Sequence, residues 1–174
     1  MYNPSDDSLM LEKYMNLAKG KVLEIGTGSG ILANSVAKNP DVDLVLGVDV
    51  DEESIEHCGE YYQNKKLAFI VSDMFDRVEG KFDTIIFNPP YLPKDKGIKD
   101  KALYGGKKGW EVLGKFFSQA KDYLNKNGII LIVFSSLTNK QKVDEMIHEH
   151  GFRFRELERK HIFFEDLYVY SISF

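Results

Sequence analysis

The sequence predicts an α/β fold, a doubly wound sheet of mostly parallel strands with helices on both faces, and three observations support this prediction. Apolar strand-like runs alternate with amphipathic segments of helical spacing along most of the 174 residues. A glycine cluster follows the first run and precedes a helix. Two strand-like segments close the chain, and they predict a hairpin in which one strand runs antiparallel to the rest.

The elements of the first half follow from the spacing of apolar residues. Tyr14 and Leu17 belong to a set that recurs at helical intervals before Gly20, and this set predicts a first helix over 7–19. Runs rich in valine, leucine and isoleucine predict strands, and the segments between them show helical spacing. The predicted strands are 21–25, 44–48 and 67–71, and the predicted helices run from the glycine cluster to about 39 and over 51–65.

The second half continues this alternation. The continuous apolar run 129–134 is typical of a central strand that is buried on both faces, and Gly151 is a stop signal for the helix before the hairpin. The elements predicted from this half are strands 82–87, 129–134, 152–164 and 167–174, helices 109–124 and 138–150, and a hairpin turn at Glu165 and Asp166.

Length and composition restrict the class of protein. The chain suits a single domain over 1–174, and its hydrophobic fraction of 43% fits a compact core. No apolar run approaches the ~20 residues that span a bilayer, and the acidic start of the chain is unlike a signal peptide. Cys58 is the only cysteine, and no Cys/His pattern of a zinc site is present. We therefore expect a cytoplasmic protein with no membrane association and no bound metal.

Charge is distributed unevenly along the chain. The formal net charge of −4 gives no general argument for nucleic-acid binding. A lysine-rich segment lies between Pro93 and Gly109, where only Asp95 and Asp100 oppose six lysines. It would attract an anionic partner or form a solvated loop, and the sequence leaves both interpretations open. The six lysines are Lys94, Lys96, Lys99, Lys101, Lys107 and Lys108.

The glycine cluster spans Gly26 to Gly30, directly after the first strand. Glycine permits a tight turn and the close approach of a ligand to the backbone. The dinucleotide-binding fingerprint requires a third glycine three residues after Gly28, where this chain has Ile31. No Gly-Lys-Ser/Thr follows the cluster, so a phosphate-binding loop of the nucleoside triphosphatase type is excluded.

Each of the first three strands is followed or closed by an acidic residue. Asp49, after strand two, can accept hydrogen bonds from both hydroxyls of a ribose. Asp73 can accept from an adenine amino group, with Met74 beside it to pack on the ring. Glu24 favours a ligand with an ammonium or sulfonium group. Caps and turns also use such acids, but three on successive strand ends favour a ligand site.

The segment Glu24-Ile25-Gly26-Thr27-Gly28-Ser29-Gly30 resembles the first motif of class I S-adenosylmethionine-dependent methyltransferases. The order of elements is similar to their Rossmann-like seven-stranded fold along nearly the whole chain. This resemblance implies the strand order 3-2-1-4-5-7-6, with strand 7 antiparallel, and S-adenosylmethionine as the cofactor. The implied cofactor contacts are Glu24, Gly26, Thr27, Gly28, Gly30, Asp49, Val50, Asp73 and Met74.

A second motif, Asn88-Pro89-Pro90-Tyr91, closes the fourth strand. An amide or aromatic amine is a poor nucleophile because its lone pair is delocalised. Hydrogen bonds from its NH₂ group to the Asn88 side-chain oxygen and the Pro89 carbonyl would orient it and favour a tetrahedral nitrogen. Tyr91 can stack on the planar group. We therefore predict Asn88, Pro89 and Tyr91 as catalytic residues, with Asn88 also next to the cofactor, and nitrogen as the methyl acceptor.

The second motif is shared by DNA adenine-N6 methyltransferases and by the HemK/PrmC family, which methylates a glutamine amide in release factors. Residues 2–11 resemble the amino-terminal P-x-E-D-T-x-L-L element of small archaeal and eukaryotic HemK-like members, with Asp6 for Glu and Ser8 for Thr. Residues 102–111 resemble their A-L-x-G-G-x-x-G segment. The match implies that Asp7 and Ser8 lie near the methionine end of the cofactor. The helical domain that precedes the catalytic domain in bacterial PrmC is expected to be absent.

The family resemblance implies a substrate and partners. The substrate would be the Gly-Gly-Gln loop of a class-1 release factor; adenine-N6 methylation of DNA or RNA, lysine methylation and a non-catalytic cofactor-binding subunit are the alternatives. Nucleic acid is less favoured, because base flipping needs contacts that a chain of this size would struggle to supply. Eukaryotic members work with a small zinc-binding activator that pairs with strand three. Leu67, Phe69 and Val71 make that strand unusually apolar for an edge, which fits an activator or coverage by the chain's own helix.

Overall fold

A seven-stranded mixed sheet organises the chain. The computed structural model describes residues 6–90, 92–93, 104–106 and 109–174, with 92–93 and 104–106 described by backbone alone. The strands of the main sheet are β1 (Gly20–Ile25), β2 (Val42–Asp49), β3 (Leu67–Val71), β4 (Phe82–Phe87), β7 (Leu124–Ser135), β8 (Arg153–Ile162) and β9 (Glu165–Ser173), and β5 (Leu92–Pro93) and β6 (Tyr104–Gly106) form a small parallel pair. The helices are α1 (Asp6–Glu12), α2 (Ile31–Val36), α3 (Glu52–Tyr61), α4 (Glu111–Tyr123) and α5 (Lys140–Glu149), with 3₁₀ turns at Met15–Leu17 and Ser136–Thr138.

The strand order is β3-β2-β1-β4-β7-β9-β8. Counted over the main sheet alone, this is 3-2-1-4-5-7-6, which confirms the predicted order. The last strand in the chain, β9, pairs antiparallel with both β7 and β8, and the remaining pairs of the main sheet are parallel. Because β1 to β4 and β7 run in one direction, their carboxyl ends meet along one side of the sheet. We call this side the carboxyl edge.

Both faces of the sheet are covered by helices. On β7, Ile130, Ile132 and Phe134 pack into a cluster with residues of α4 and α5, whereas Leu131 and Val133 pack into a second cluster with α1 and α2. All five side chains are fully buried, which confirms the predicted central strand. Burial of a side chain of this size stabilises a fold by roughly 1.5–3 kcal/mol. None of the helices within the described ranges has the length and apolar character needed to cross a membrane.

The first helix is shorter than the predicted 7–19. Helix α1 stops after two turns, and a 3₁₀ turn at Met15–Leu17 replaces its second half. The Tyr14 hydroxyl donates to the Glu158 carboxylate on β8 at 3.0 Å. The Asn39 side-chain amide donates to the backbone carbonyls of Met15 and Ala18. The Asn39 amide satisfies carbonyls that helical hydrogen bonds would otherwise use, and the Tyr14 bond ties this segment to β8, so local spacing alone overestimated the helix.

The closing hairpin turns at Phe163 and Phe164, and the prediction of a turn at Glu165 and Asp166 was wrong. Both acids already belong to β9. The Ser135 hydroxyl at the end of β7 bonds to the Glu165 carboxylate, 30 residues away in sequence. Acidic residues are common in turns, but here Glu165 and Asp166 pair with residues of β8, and the contact with Ser135 holds Glu165 in the strand. The turn therefore lies two residues earlier in the chain.

The other differences concern the ends of elements. The bounds of β3 and β4 are those predicted, 67–71 and 82–87. Strand β7 begins five residues early, because Leu124 pairs with Phe82 before the apolar run starts. Helix α3 ends at Tyr61, short of the predicted 65, because the next residue is extended.

Candidate active site

A left-handed glycine turn joins β1 to α2 at the carboxyl edge. Gly26, Gly28 and Gly30 have φ values of 65°, 51° and 74°, a region that favours glycine. A Cβ on Gly30 would lie 2.7 Å from both the Cys58 sulfur and the Tyr62 ring, so no larger residue fits there. The Cys58 thiol also donates to the Gly28 carbonyl at 3.4 Å. Helix α3 therefore fixes one side of the glycine turn by direct contact.

Glu24 lies beneath this turn with only 2% of its surface exposed. Burial raises the pKa of its carboxyl to about 8, and the charge of Asp49 adds to the rise, while hydrogen bonds from the Thr27 hydroxyl and the Ala33 backbone oppose it. The Thr27 bond is 2.6 Å long. The carboxyl is therefore mostly protonated at neutral pH in the ligand-free protein. A cationic ligand would favour its charged form.

Asp49 and Val50 present an acceptor and an apolar surface at the end of β2. One carboxylate oxygen of Asp49 accepts the Gly28 N–H at 2.8 Å, and the other accepts the Asp51 N–H at 3.0 Å. These bonds fix the carboxylate, and each oxygen keeps a lone pair for a further donor such as a hydroxyl. The Val50 side chain is 66% exposed and offers a surface that an aromatic ring can cover.

Asp73 and Met74 follow β3 and are joined to α4 by an ion pair that the sequence did not predict. The Asp73 carboxylate lies 2.8 Å from the Lys115 ammonium group, 42 residues away in sequence. No local motif indicates this contact. Met74 has a φ of 51°, which costs on the order of 1 kcal/mol for a side chain of its type. The Ser72 hydroxyl donates to the Met74 carbonyl at 3.0 Å and helps to hold this conformation.

Asn88, at the end of β4, is held by the amino-terminal helix. Its Nδ2 group donates to the Ser8 hydroxyl at 3.0 Å, across 80 residues of sequence. Ser8 and Asp7 are both buried on α1, and the Ser8 N–H donates to the Asp7 carboxylate at 2.6 Å. With Nδ2 engaged by Ser8, the Asn88 Oδ1 atom is the acceptor that can serve a substrate.

The structure brings most of the predicted site residues to the carboxyl edge. Tyr91 and the six lysines of the lysine-rich segment lie outside the described residues. Across the part of the chain that the structure describes, no group of three or more His, Cys, Asp or Glu side chains is arranged to hold a metal. The predicted residues found at this edge are Asp7, Ser8, Glu24, Gly26, Thr27, Gly28, Gly30, Asp49, Val50, Asp73, Met74, Asn88 and Pro89.

This donor set fits S-adenosylmethionine. Asp49 offers hydroxyl acceptors, Val50 offers an apolar surface for a ring, and the buried Glu24 suits a positively charged tail. A sheet of order 3-2-1-4-5-7-6 with a left-handed glycine turn after β1 defines the class I methyltransferase fold.

Comparisons with known proteins agree with this class. The family model described as methyltransferase small domain matches residues 6–164. The MJ0928 protein of Methanocaldococcus jannaschii, named as a protein N5-glutamine methyltransferase, is 36% identical over 177 aligned residues, which cover 97% of this chain and 89% of the relative. The methyltransferase HEMK2 of Mus musculus is 25% identical over 170 residues, which cover 87% of this chain and 79% of the relative.

Among solved structures, the Mtq2–Trm112 complex of E. cuniculi matches the fold with a TM-score of 0.80. It is 21% identical in sequence, and the match covers 99% of this chain and 97% of the other. The chain belongs to the methyltransferase small domain family. It is a methyltransferase, and its methyl donor is S-adenosylmethionine.

Proposed function

We propose that this enzyme methylates the side-chain amide nitrogen of a glutamine in the Gly-Gly-Gln loop of a class-1 release factor. The observation that carries the proposal is the Asn88–Ser8 hydrogen bond, which leaves the Asn88 Oδ1 atom to accept a substrate N–H. The names of two similar proteins support the choice of substrate. The M. jannaschii relative is named as a glutamine N5-methyltransferase, and the E. cuniculi complex is described as responsible for the methylation of eRF1.

The proposed cofactor contacts follow from the carboxyl edge. When bound, S-adenosylmethionine supplies an electrophilic methyl group on a sulfonium sulfur. Asp49 accepts the ribose hydroxyls, because each of its oxygens keeps a lone pair beside its backbone bond. Val50 and Met74 pack on the adenine ring, and Asp73 accepts its amino group. The remaining proposed contacts are Gly26, Thr27, Gly28 and Gly30 along the backbone turn, and Asp7, Ser8, Glu24 and Asn88 towards the methionine end.

Asn88 and Pro89 orient the glutamine amide in the proposed reaction. The two amide hydrogens donate to the Asn88 Oδ1 atom and the Pro89 carbonyl, which favours a tetrahedral nitrogen with its lone pair directed at the methyl carbon. A nitrogen–carbon bond forms as the carbon–sulfur bond breaks, and the nitrogen then releases one proton to water. No base is needed beforehand, because the amide attacks as a neutral group. Tyr91 remains the predicted stacking residue for the planar amide.

We also propose that a small zinc-binding activator pairs with β3. This strand ends the sheet and pairs with β2 along one side, among the residues that the structure describes. Leu67, Phe69 and Val71 are each only half buried, although their side chains are apolar. The E. cuniculi structure, in which the similar chain is in complex with Trm112, supports a partner of this kind. The proposed substrate requires a cytoplasmic location, where translation ends.

The test is methyl transfer from labelled S-adenosylmethionine to a class-1 release factor. Its Gln→Ala loop variant is the matched control, with DNA and a lysine-containing histone tail as competing acceptors. Each reaction is run with and without the activator subunit. Label on the unchanged factor alone supports the proposal, and stimulation by the activator supports the partner. Label on DNA or on lysine alone replaces the proposed function with that alternative.

A further inference from the structure

The turn of the closing hairpin exposes two adjacent aromatic side chains. Phe163 is 90% exposed and Phe164 is 97% exposed, and they are the most exposed large apolar side chains of the described residues. A phenylalanine side chain stabilises a fold mainly when it is buried away from water. These two exposed rings therefore add little to the stability of this fold. Scattered single apolar residues are common on protein surfaces, but two adjacent rings on a projecting turn form a patch.

The backbone of the turn is also unfavourable for these residues. Ile162 pairs with Glu165, so the hairpin has a two-residue turn, and Phe163 adopts a φ of 46°. A two-residue hairpin turn with positive φ at its first central residue alone favours glycine there, because a bulky side chain is strained at positive φ. The chain therefore accepts local strain at an exposed position without a packing contact that would compensate for it. Such a combination is typical of a functional surface.

The turn projects beyond the carboxyl edge, on the same side as Asn88. In register, Phe87 pairs with Ile132 of β7, so Asn88 is level with Val133, which pairs with Val169 of β9. Phe164 lies five residues before Val169, which is about 17 Å along the strand. Two strand spacings separate β4 from β9, so the tip stands about 20 Å from Asn88. No small acceptor can touch both points, whereas a folded protein can.

The contacts at the base of the hairpin connect the tip to the catalytic motif. The Asp166 N–H donates to the Ser136 hydroxyl at 3.0 Å, which fixes the hairpin to the 3₁₀ turn after β7. Strand β5, which follows the Asn88 motif, lies against the same turn. Leu137 in this turn is 44% exposed and adds an apolar side chain to this part of the surface. The 3₁₀ turn therefore contacts both the base of the hairpin and the strand that follows Asn88 and Pro89.

The charges beside the tip favour an apolar partner surface. Arg159 and His161 both pair with Asp166, at 2.8 Å and 3.0 Å, and Lys160 pairs with Asp6 at 2.8 Å. These three basic side chains of the hairpin therefore have acidic partners, and Arg159 and His161 share Asp166. A phosphate backbone would need cations that are available for pairing. Within the described residues of the hairpin, the exposed phenylalanines stand beside basic groups that are already paired, which suits an apolar patch on a protein.

We propose that Phe163 and Phe164 form a docking surface for the folded body of the methyl-accepting protein, which they bind through an apolar patch about 20 Å from the acceptor side chain. The inference rests on the proposed function, because it requires a protein as the acceptor. It adds a second contact to the active site, and this contact selects intact protein over a short peptide.

The test uses the double variant Phe163→Gly/Phe164→Asn, with Leu44→Ser as a matched control. Leu44 is also an exposed apolar residue, but it lies near the start of β2, away from the carboxyl edge. Steady-state methylation is measured with the intact release factor and with a short peptide that carries its Gly-Gly-Gln sequence, both with the activator present. Thermal unfolding is measured on every variant.

For the double variant, we expect the KM for the intact factor to rise about tenfold to hundredfold, with kcat unchanged. We expect kcat/KM for the peptide to stay within about twofold, and Tm to stay level or rise, because glycine suits the positive φ at position 163. The Leu44 control should leave both substrates unchanged. An unchanged KM for the intact factor, an equal loss on both substrates, or a clear fall in Tm would overturn the docking surface. Failure of the proposed function is distinct: the unaltered enzyme would then label neither substrate, and both proposals would fall.

Discussion

Glu24 makes the stability of the ligand-free protein depend on pH. Burial raises the pKa of its carboxyl from 4.5 to about 8. The unfolded chain releases this proton near the ordinary value, so between these two pH values the native state holds more protons than the unfolded state. The free energy of unfolding therefore falls as the pH rises through this window. The stabilisation is fully present below about pH 4.5 and is lost above about pH 8.

The expected loss is large for a single side chain. Integration of the proton difference from about pH 5.5 to about pH 8 gives a decrease of about 3 kcal/mol in the free energy of unfolding. In a chain of 174 residues, 1 kcal/mol corresponds to roughly 2–4 °C in Tm. A rise from about pH 5.5 to about pH 8 should therefore lower Tm by about 6–12 °C through the titration of Glu24 alone.

The measurement is thermal unfolding, followed by circular dichroism at constant ionic strength across this pH range. Other groups titrate as well, so the Glu24→Gln variant is the matched control. The amide oxygen of this variant can still accept a hydrogen bond from the Thr27 hydroxyl, which in the wild type donates to the Glu24 carboxyl at 2.6 Å. The difference between the two profiles of Tm against pH gives the contribution of the Glu24 carboxyl alone. Parallel profiles for the wild type and Glu24→Gln would refute the raised pKa, as would a wild-type Tm that rises relative to the variant.

Three substitutions test the proposed roles at the carboxyl edge. Asn88→Ala should lower kcat by about 10²–10³-fold while the Kd for S-adenosylmethionine, measured by calorimetry, stays within about twofold, because Oδ1 acts on the acceptor. Asp49→Ala should weaken cofactor binding by ~1.5–3 kcal/mol, since a charged acceptor of ribose hydroxyls is lost. Ser8→Ala should lower kcat by about 3–10-fold through the lost bond to Asn88, and Ser8→Thr, which keeps the hydroxyl, should retain most activity in the same methylation assay.

Each of these roles has an outcome that contradicts it. Equal loss of cofactor binding and transfer in Asn88→Ala would mean that this side chain is not specific to the acceptor. An unchanged Kd in Asp49→Ala would place the ribose elsewhere. If Ser8→Thr lost as much activity as Ser8→Ala, the hydroxyl would not be the group that positions Asn88.

Local pattern in the sequence predicted much of the fold. Strands β3 and β4 have their predicted bounds, because a short apolar run between turn residues specifies a strand within one window of sequence. The burial of β7 on both faces followed from its continuous apolar run. Resemblance to a family, carried by the glycine motif and the order of elements, implied the strand order that the structure confirms, and Asn88-Pro89-Pro90-Tyr91 indicated the acceptor. The class of reaction, methyl transfer, could be predicted because both motifs are contiguous.

Only the tertiary structure decided how these parts meet. The hydrogen bond between Ser8 and Asn88 spans 80 residues, and the ion pair between Asp73 and Lys115 spans 42. The hairpin turn lies at Phe163 and Phe164 because contacts from the end of β7 hold the next two residues in the ladder. Propensity and periodicity act between neighbours in sequence, whereas burial, pairing and pKa depend on which distant groups packing brings into contact. The sequence by itself therefore determined most elements and both contiguous motifs, and packing determined the hydrogen bond of Asn88, the raised pKa of Glu24 and the exposed aromatic tip.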